Sequence, residues 1–441
     1  MARWKMDEGD GIWSSLYRNE DWWAIWVGFI ILGLALTRLI SWIPRLGGWT
    51  INPLEATGLA GASGIIPLGL LLLTLTGLAI FVRGEDGRRF LMGFPILFSA
   101  SLLVLIISCQ RSIRSWGLES PLWALIIGLL LNNLFKIPDW LRAAAREELF
   151  IKIGLVLLGA EVLFNDLLAA GVLGLFEVTI GLSIIWYFCY YLATRLGLSR
   201  SFASILASAT SICGVSAAIA SGWAVRGDPK EVSHTISLVL LFAIPMTIIM
   251  PAIGRVLGMP PAVVGAWIGG TIDTTPAVVA AGAIYGEVAM KVASIVKMSQ
   301  NIMIGLVAFT LALYWALRVE RRPEMGPRPI EIWFRFPKFV VGFMAASLIF
   351  SFILVPMMGY TSVRGVLSII KEVRGWLFTL AFISIGLKTR FGELVRVGAG
   401  RPLLVFLAAS FADLALSLAS AYLFFGGILF PTVGLLWDDR A

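Results

Sequence analysis

The chain has 441 residues, 59% of them hydrophobic and only 14% charged, with a mean hydropathy of +0.89, which excludes an ordinary soluble domain and fits a polytopic membrane protein. Its 35 Lys and Arg exceed 27 Asp and Glu by eight, an excess read as a topology signal; no nucleic-acid partner is indicated. One histidine, His234, and three scattered cysteines, Cys109, Cys189 and Cys213, exclude a histidine metal site and a disulfide framework.

A spanning helix needs about 20 mainly apolar residues. About thirteen segments approach this, at 22–40, 62–82, 89–109, 120–135, 149–165, 171–194, 201–224, 235–257, 262–285, 292–317, 337–358, 375–388 and 402–430. The fifth and twelfth are short. The expected fold is an all-α integral membrane protein of about 11–13 transmembrane helices, two of them broken helices that meet near the midplane.

The first section, 1–88, is an N-terminal extension with two transmembrane helices; Trp22, Trp23 and Trp26 there read as an interfacial belt. No small-residue cleavage site follows the first span, which reads as a retained anchor. Residues 89–320 form the core with both broken helices, 321–336 a polar linker rich in Arg and Pro, and 337–441 the C-terminal helices that complete the assembly. If every span crosses, the loops on the N-terminal side carry about twice the Lys and Arg of the others, placing the N-terminus in the cytoplasm of a plasma (inner) membrane protein.

Ser211-Ile212-Cys213-Gly214-Val215-Ser216-Ala217-Ala218-Ile219-Ala220 overlays Thr271-Ile272-Asp273-Thr274-Thr275-Pro276-Ala277-Val278-Val279-Ala280. Both copies interrupt an apolar helix with small polar residues. A helix broken at membrane depth persists only where it is buried in protein or lines a wet cavity. Pro276 suits the first turn of a half-helix with Thr274 or Thr275 as cap, and Gly214 and Ser216 allow a second half-helix to begin in the same way. Two half-helix N-termini aimed at one point offer free N–H donors and partial positive charge, the physics of an anion site. The alternative is that these small residues only allow close helix packing. The copies would be parallel unless one is re-entrant. A second echo joins Gly159–Leu167 to Gly386–Leu394 through G-x4-F-x2-L, with the two copies running in opposite directions.

An acid within a span is costly and faces a partner or a water-filled path. Asp273 is therefore a candidate coupling group for a proton or cation, or a partner of Lys297. Lys297 shares an apolar helix with a polar stripe containing Ser299, Gln300 and Asn301, and can neutralise Asp273 or contact an anion. Lys152 is either a snorkelling span-end cation or a substrate contact. Asp413, Gln300 and Asn301 are secondary candidates, and Glu177 is uncommitted. No GxxxxGK[ST], HExxH or GxSxG pattern occurs, so ATP hydrolysis, zinc proteolysis and serine hydrolysis have no support, and no cofactor or metal is expected.

At Lys152–Gly159, Ser211–Gly214, Gly269–Asp273, Val278–Gly282, Ile295–Lys297 and Ile385–Leu387 the chain resembles the YeiH-like sulfate exporter family of bacterial multi-pass proteins, from about Phe90 to Pro431. The resemblance implies a transporter distantly similar to the cation/proton antiporter and bile-acid symporter folds. Many members carry His-Glu where this chain has Asp273-Thr274, and Arg where it has Gln300, marking a divergent subgroup with an N-terminal extension.

The combined expectation is a secondary active transporter of a small anion, of the sulfate or organic sulfonate class, working by alternating access and not an enzyme. Ser211, Cys213, Gly214, Ser216, Thr271, Thr274 and Thr275 would line the site, Asp273 would couple transport to H+ or Na+, and Lys297 would balance charge. The lipid bilayer is a partner, and a homodimer is left open. Alternatives are a sodium- or proton-coupled carboxylate or cation exchanger, a membrane-embedded enzyme using Cys213 as nucleophile, and a passive channel.

Overall fold

The computed structural model describes residues 16–56, 58–115, 120–319, 330–390, 392 and 400–430. The described residues are helical with no strand, apart from an isolated bridge between Trp49 and Gln110. Among the described residues seven helices are long and apolar enough to cross a membrane, so the chain is an all-α, multi-pass membrane protein. The polar linker expected at 321–336 falls largely outside the described residues, at 320–329.

The chain divides into two compact units, Met1–Phe164 with Lys338–Thr389, and Asn165–Pro337 with Arg390–Ala441. Each is assembled from two separated stretches of the chain. The first unit contains α1 (Glu20–Leu36), α2 (Gly58–Val82), α3 (Gly87–Ser108), α4 (Ser120–Leu134) and α5 (Glu147–Glu161). The second contains α6 (Phe164–Arg195), α7 (Arg200–Ser211), α8 (Gly214–Ala224), α9 (Pro229–Val256), α10 (Pro261–Thr271), α11 (Thr275–Tyr285) and α12 (Glu287–Tyr314). The chain then supplies α13 (Lys338–Ile349) and α14 (Tyr360–Lys388) to the first unit and α15 (Arg401–Phe425) to the second.

In the first unit α14 packs on α4 and α5, and α13 packs on α5 and α1. The α1 start is fixed by the Asn19 side chain, which accepts the Asp21 N–H, and by acidic Glu20 and Asp21 in the first turn. Those acids then bind Lys152, whose Nζ lies 2.9 Å from Glu20, 3.0 Å from Asp21 and 2.9 Å from Glu148. Asp21 also accepts the Lys338 N–H at 2.8 Å. The first helix of the N-terminal extension is thus fastened into this unit. Deeper in it, Arg374 meets Glu161 through Nε at 2.7 Å and through a second nitrogen at 2.8 Å, both side chains nearly inaccessible. Gly386 faces Gly128 so closely that a Cβ on Gly386 would stand 2.5 Å from the Gly128 carbonyl carbon. Of the weaker echo, Gly159 ends near the α5 terminus and Gly386 near the α14 terminus; Phe391, Glu393 and Leu394 lie outside the described residues.

The second unit contains the main departure from the expected topology. The segments at 201–224 and 262–285 do not continue across as broken spans; each reverses at its break and returns as a helical hairpin. In the first hairpin, Gly222 near the end of α8 lies beside Ile205 near the start of α7. Ser199 and Ser201, at the α7 entrance, bind Glu231 at the α9 start at 2.9 and 3.2 Å. In the second, Tyr285 at the end of α11 donates to the Met259 carbonyl just before α10, and Arg255 donates to the Ile284 carbonyl. The 28-residue α9 joins the two mouths, a separation of about 42 Å at 1.5 Å per residue. The hairpins therefore enter the unit from opposite ends, and the sixty-residue echo is inverted because both copies are re-entrant. Ser, Thr, Gly and Ala make this reversal feasible, since short arms can close on each other without bulky side chains between them.

Candidate functional site

The tips of the two hairpins touch. The Gly214 N–H, at the start of α8, donates to the Asp273 carbonyl at 2.8 Å. Cys213 and Thr274 precede the return arms in extended conformation, and neither supplies a side-chain cap. The first helical bonds are made by Ala217 N–H to Cys213 and Val278 N–H to Thr274. The N–H groups of Val215 and Ser216 in one arm, and of Thr275 and Ala277 in the other, precede those bonds; Pro276 has none. Ser216 is exposed and Val215, Thr274, Thr275 and Pro276 are half-buried, whereas Ser211, Cys213, Gly214, Thr271 and Asp273 are buried.

The entering arms end differently. Their terminal carbonyls are taken up by α12, which runs past both tips with Lys297, Gln300 and Asn301 on one face, at i, i+3 and i+4. Lys297 Nζ donates to the Ile212 carbonyl at 2.8 Å and to Gln300 Oε1 at 2.6 Å. Gln300 Nε2 reaches the Ser211 carbonyl at 3.2 Å and the Gly270 carbonyl at 3.3 Å, joining the two hairpins. Asn301 Nδ2 donates to Thr275 Oγ1 at 3.1 Å, while its Oδ1 is buried without a hydrogen-bond partner. The carbonyls that end the entering arms are thus taken by α12, while the return arms begin with N–H groups that precede the first helical bonds, and a cation stands alongside. Such a polarity favours an anionic guest over a cation that needs carbonyl ligands.

Other expected residues lie elsewhere in this geometry. Ser211 Oγ turns back to the Ala207 carbonyl at 2.7 Å, and Thr271 Oγ1 pairs with Ser417 Oγ of α15, so both hydroxyls are engaged within the packed helices. Among the described residues Asp273 and Lys297 form no ion pair, Lys297 being held by Ile212 and Gln300. Asp413 is buried on α15, one turn before Ser417, which donates to the Asp413 carbonyl at 2.7 Å. Lys152 sits in the first unit within its carboxylate cluster, not at the tips. Glu177, uncommitted in the sequence, is 2% exposed on α6 and accepts from Ser420 of α15 at 3.4 Å. Its partners come from more than two hundred residues downstream, and no local pattern marks them.

The fold and site define a multi-pass membrane protein whose paired re-entrant hairpins meet in one helical unit. The family model described as Conserved hypothetical protein 698 matches residues 92–406, and the chain belongs to that family, as the resemblance to YeiH-like proteins indicates. A UPF0324 membrane protein of Rhodopirellula baltica is 41% identical over 90% of this chain and 74% of its own length. One from Nitratidesulfovibrio vulgaris is 43% identical over 79% of this chain, which spans 62% of that relative. One from Nitrosomonas europaea is 31% identical over 96% of this chain and 99% of its own length. No solved structure matches the chain.

Proposed function

We propose that the protein is a secondary active transporter that moves a small oxyanion, of the sulfate or organic sulfonate class, by alternating access. The observation that carries this reading is the polarity of the touching tips: carbonyls bound by Lys297 and Gln300, and N–H groups without a side-chain cap at the α8 and α11 starts, where Ser216 is exposed and Thr274 and Thr275 are half-buried. The anion would be held by the N–H groups of Val215, Ser216, Thr275 and Ala277, with the Ser216, Thr274 and Thr275 hydroxyls and the Asn301 amide around it. Lys297 would supply charge balance, and Asp273, whose backbone carbonyl joins the tips, would couple occupancy to H+ or Na+. Cys213 is assigned to the turn, without a nucleophilic role, and Cys213→Ala is expected to keep transport.

The Lys and Arg bias supports a plasma membrane orientation with the N-terminus in the cytoplasm. Re-entry of two segments leaves the side assigned to the basic linker unchanged, because two crossings are removed together.

The test is uptake of radiolabelled sulfate, and of a labelled short alkyl sulfonate, into proteoliposomes under imposed proton or sodium gradients, with Asp273→Asn alongside. Saturable, gradient-dependent uptake that the variant lacks is the expected outcome. Uptake of labelled sodium without either anion would replace this reading with that of a cation exchanger, which the buried carboxyls of Asp273 and Asp413 would serve.

A further inference from the structure

We propose that Glu177 carries a proton through each transport cycle, so that the anion moves with H+; this rests on the transporter reading and names its coupling ion. Glu177 projects from α6 into the packed interior of the second unit. Its Oε1 accepts one long hydrogen bond from Ser420, and its Oε2 is buried with no hydrogen-bond partner. The carboxyl is seated against the tip-proximal backbone of the second hairpin: a Cβ on Gly270 would stand 3.3 Å from Oε1. An ionised carboxylate so placed lacks both a countercharge in contact and sufficient donors, which is strongly unfavourable in a membrane interior, whereas the neutral acid is tolerated.

Polar groups of α15 lie between this carboxyl and the end of α10. Ser420 Oγ contacts Glu177 Oε1 and lies 3.1 Å from the Ser417 carbonyl; Ser417 Oγ pairs with Thr271 Oγ1, on the last residue of α10 and two positions before Asp273. Ser420 of α15 contacts the Glu177 carboxyl directly, Gly270 of the second hairpin lies against its Oε1, Asp413 of α15 acts on it as a like charge, and one turn before it Gly174 packs α6 on Val296 and Ser299 of α12, the helix that carries Lys297. Three carboxyls, Asp273, Asp413 and Glu177, therefore share this interior with one ammonium, Lys297, and all four are buried. With all three carboxyls ionised, an added anion would compound an excess of negative charge; a neutral Glu177 reduces it. In the cycle, hydronium admitted from one side gives its proton to the Glu177 carboxylate, one hydronium O–H bond breaking, and water being left behind, as the carboxyl O–H bond forms. The same bond breaks, giving the proton to water, when the unit opens to the other side. No electron is transferred.

Two measurements decide the proposal. In proteoliposomes with radiolabelled sulfate, Glu177→Gln is expected to lose accumulation driven by a proton gradient while keeping sulfate–sulfate exchange at equal pH within about twofold of the native protein. Gradient-driven accumulation that persists in Glu177→Gln overturns it. The second measurement needs no substrate: a hydrophobic carbodiimide adds to protonated carboxyls, and mass spectrometry of the detergent-solubilised, monodisperse protein should find Glu177 modified near neutral pH, with less modification as pH rises. An unmodified Glu177 overturns the proposal. Modified Glu177 in a native protein that transports no anion instead locates the failure in the transporter reading, and the proposed role falls with it.

Discussion

Gly214 is the residue on which the contact between hairpins most directly depends. Its N–H holds the Asp273 carbonyl at 2.8 Å, and an added Cβ would stand 2.2 Å from Val239 Cγ1 and 2.9 Å from Cγ2. Ordinary van der Waals contact begins at 3.4 Å, so Gly214→Ala must displace a β-branched, fully buried side chain or the tip itself by about 1 Å. Overpacking of this kind costs about 1–3 kcal/mol. Val239→Ala alone costs a comparable amount, about 1–3 kcal/mol, through lost contacts and a small cavity. The double variant removes the clash and fills part of that cavity, so it is expected to be more stable than the sum of the two changes by about 1–2 kcal/mol. The assay is thermal unfolding of the four proteins in one detergent, read as apparent Tm, with monodispersity on gel filtration as the fold control. Native-like Tm in Gly214→Ala, or strict additivity in the double variant, would refute the reasoning.

Three further changes test packing and polar pairing within each unit. Arg374→Met leaves the buried Glu161 carboxylate without its bidentate partner and is expected to lower stability by about 3–5 kcal/mol; adding Glu161→Met should restore most of the loss in thermal unfolding. Gly386→Ala pushes a Cβ into the Gly128 backbone, where no side chain can yield, and should cost at least the about 1–3 kcal/mol of a core overpacking, with no single rescue at a neighbouring side chain. Lys297→Met leaves the Ile212 carbonyl without its donor, a loss of about 1–3 kcal/mol in melting experiments. It should also abolish anion uptake, whereas Lys297→Arg should recover more of the stability than of the transport.

The parts of this architecture that could be read from sequence are those encoded locally. The two interrupted segments, the polar face of Lys297, Gln300 and Asn301, and the apolar spans all depend on residues a few positions apart. Reversal at Ile212-Cys213 and at Ile272-Asp273 was not readable, because a broken crossing and a tight hairpin need the same small residues at the same spacing. What separates them is which arm ends meet, as in Ser199 with Glu231 and Tyr285 with Met259. The assignment of Ser211 and Thr271 to the site came from their position in the echo, but an extended tip turns neighbouring side chains in different directions, and these two are drawn to Ala207 and Ser417. Glu177 and Arg374 were silent for a simpler reason: Ser420 and Glu161, which give them their surroundings, are 243 and 213 residues away.

The dependence of both hairpins on α12 also orders the making of the protein. Ser211, Ile212 and Gly270 present carbonyls that Lys297 and Gln300 satisfy, and these are synthesised up to 89 residues after the first of them. While the chain is still emerging, residues 200–224 have no partner able to cover a reversed backbone inside lipid. The segment must wait at the interface or cross provisionally as an ordinary span, and fold back once α12 arrives. A ribosome stalled soon after residue 257 should therefore expose this segment to proteases or thiol reagents that the completed protein excludes, with Cys213 as the natural reporter.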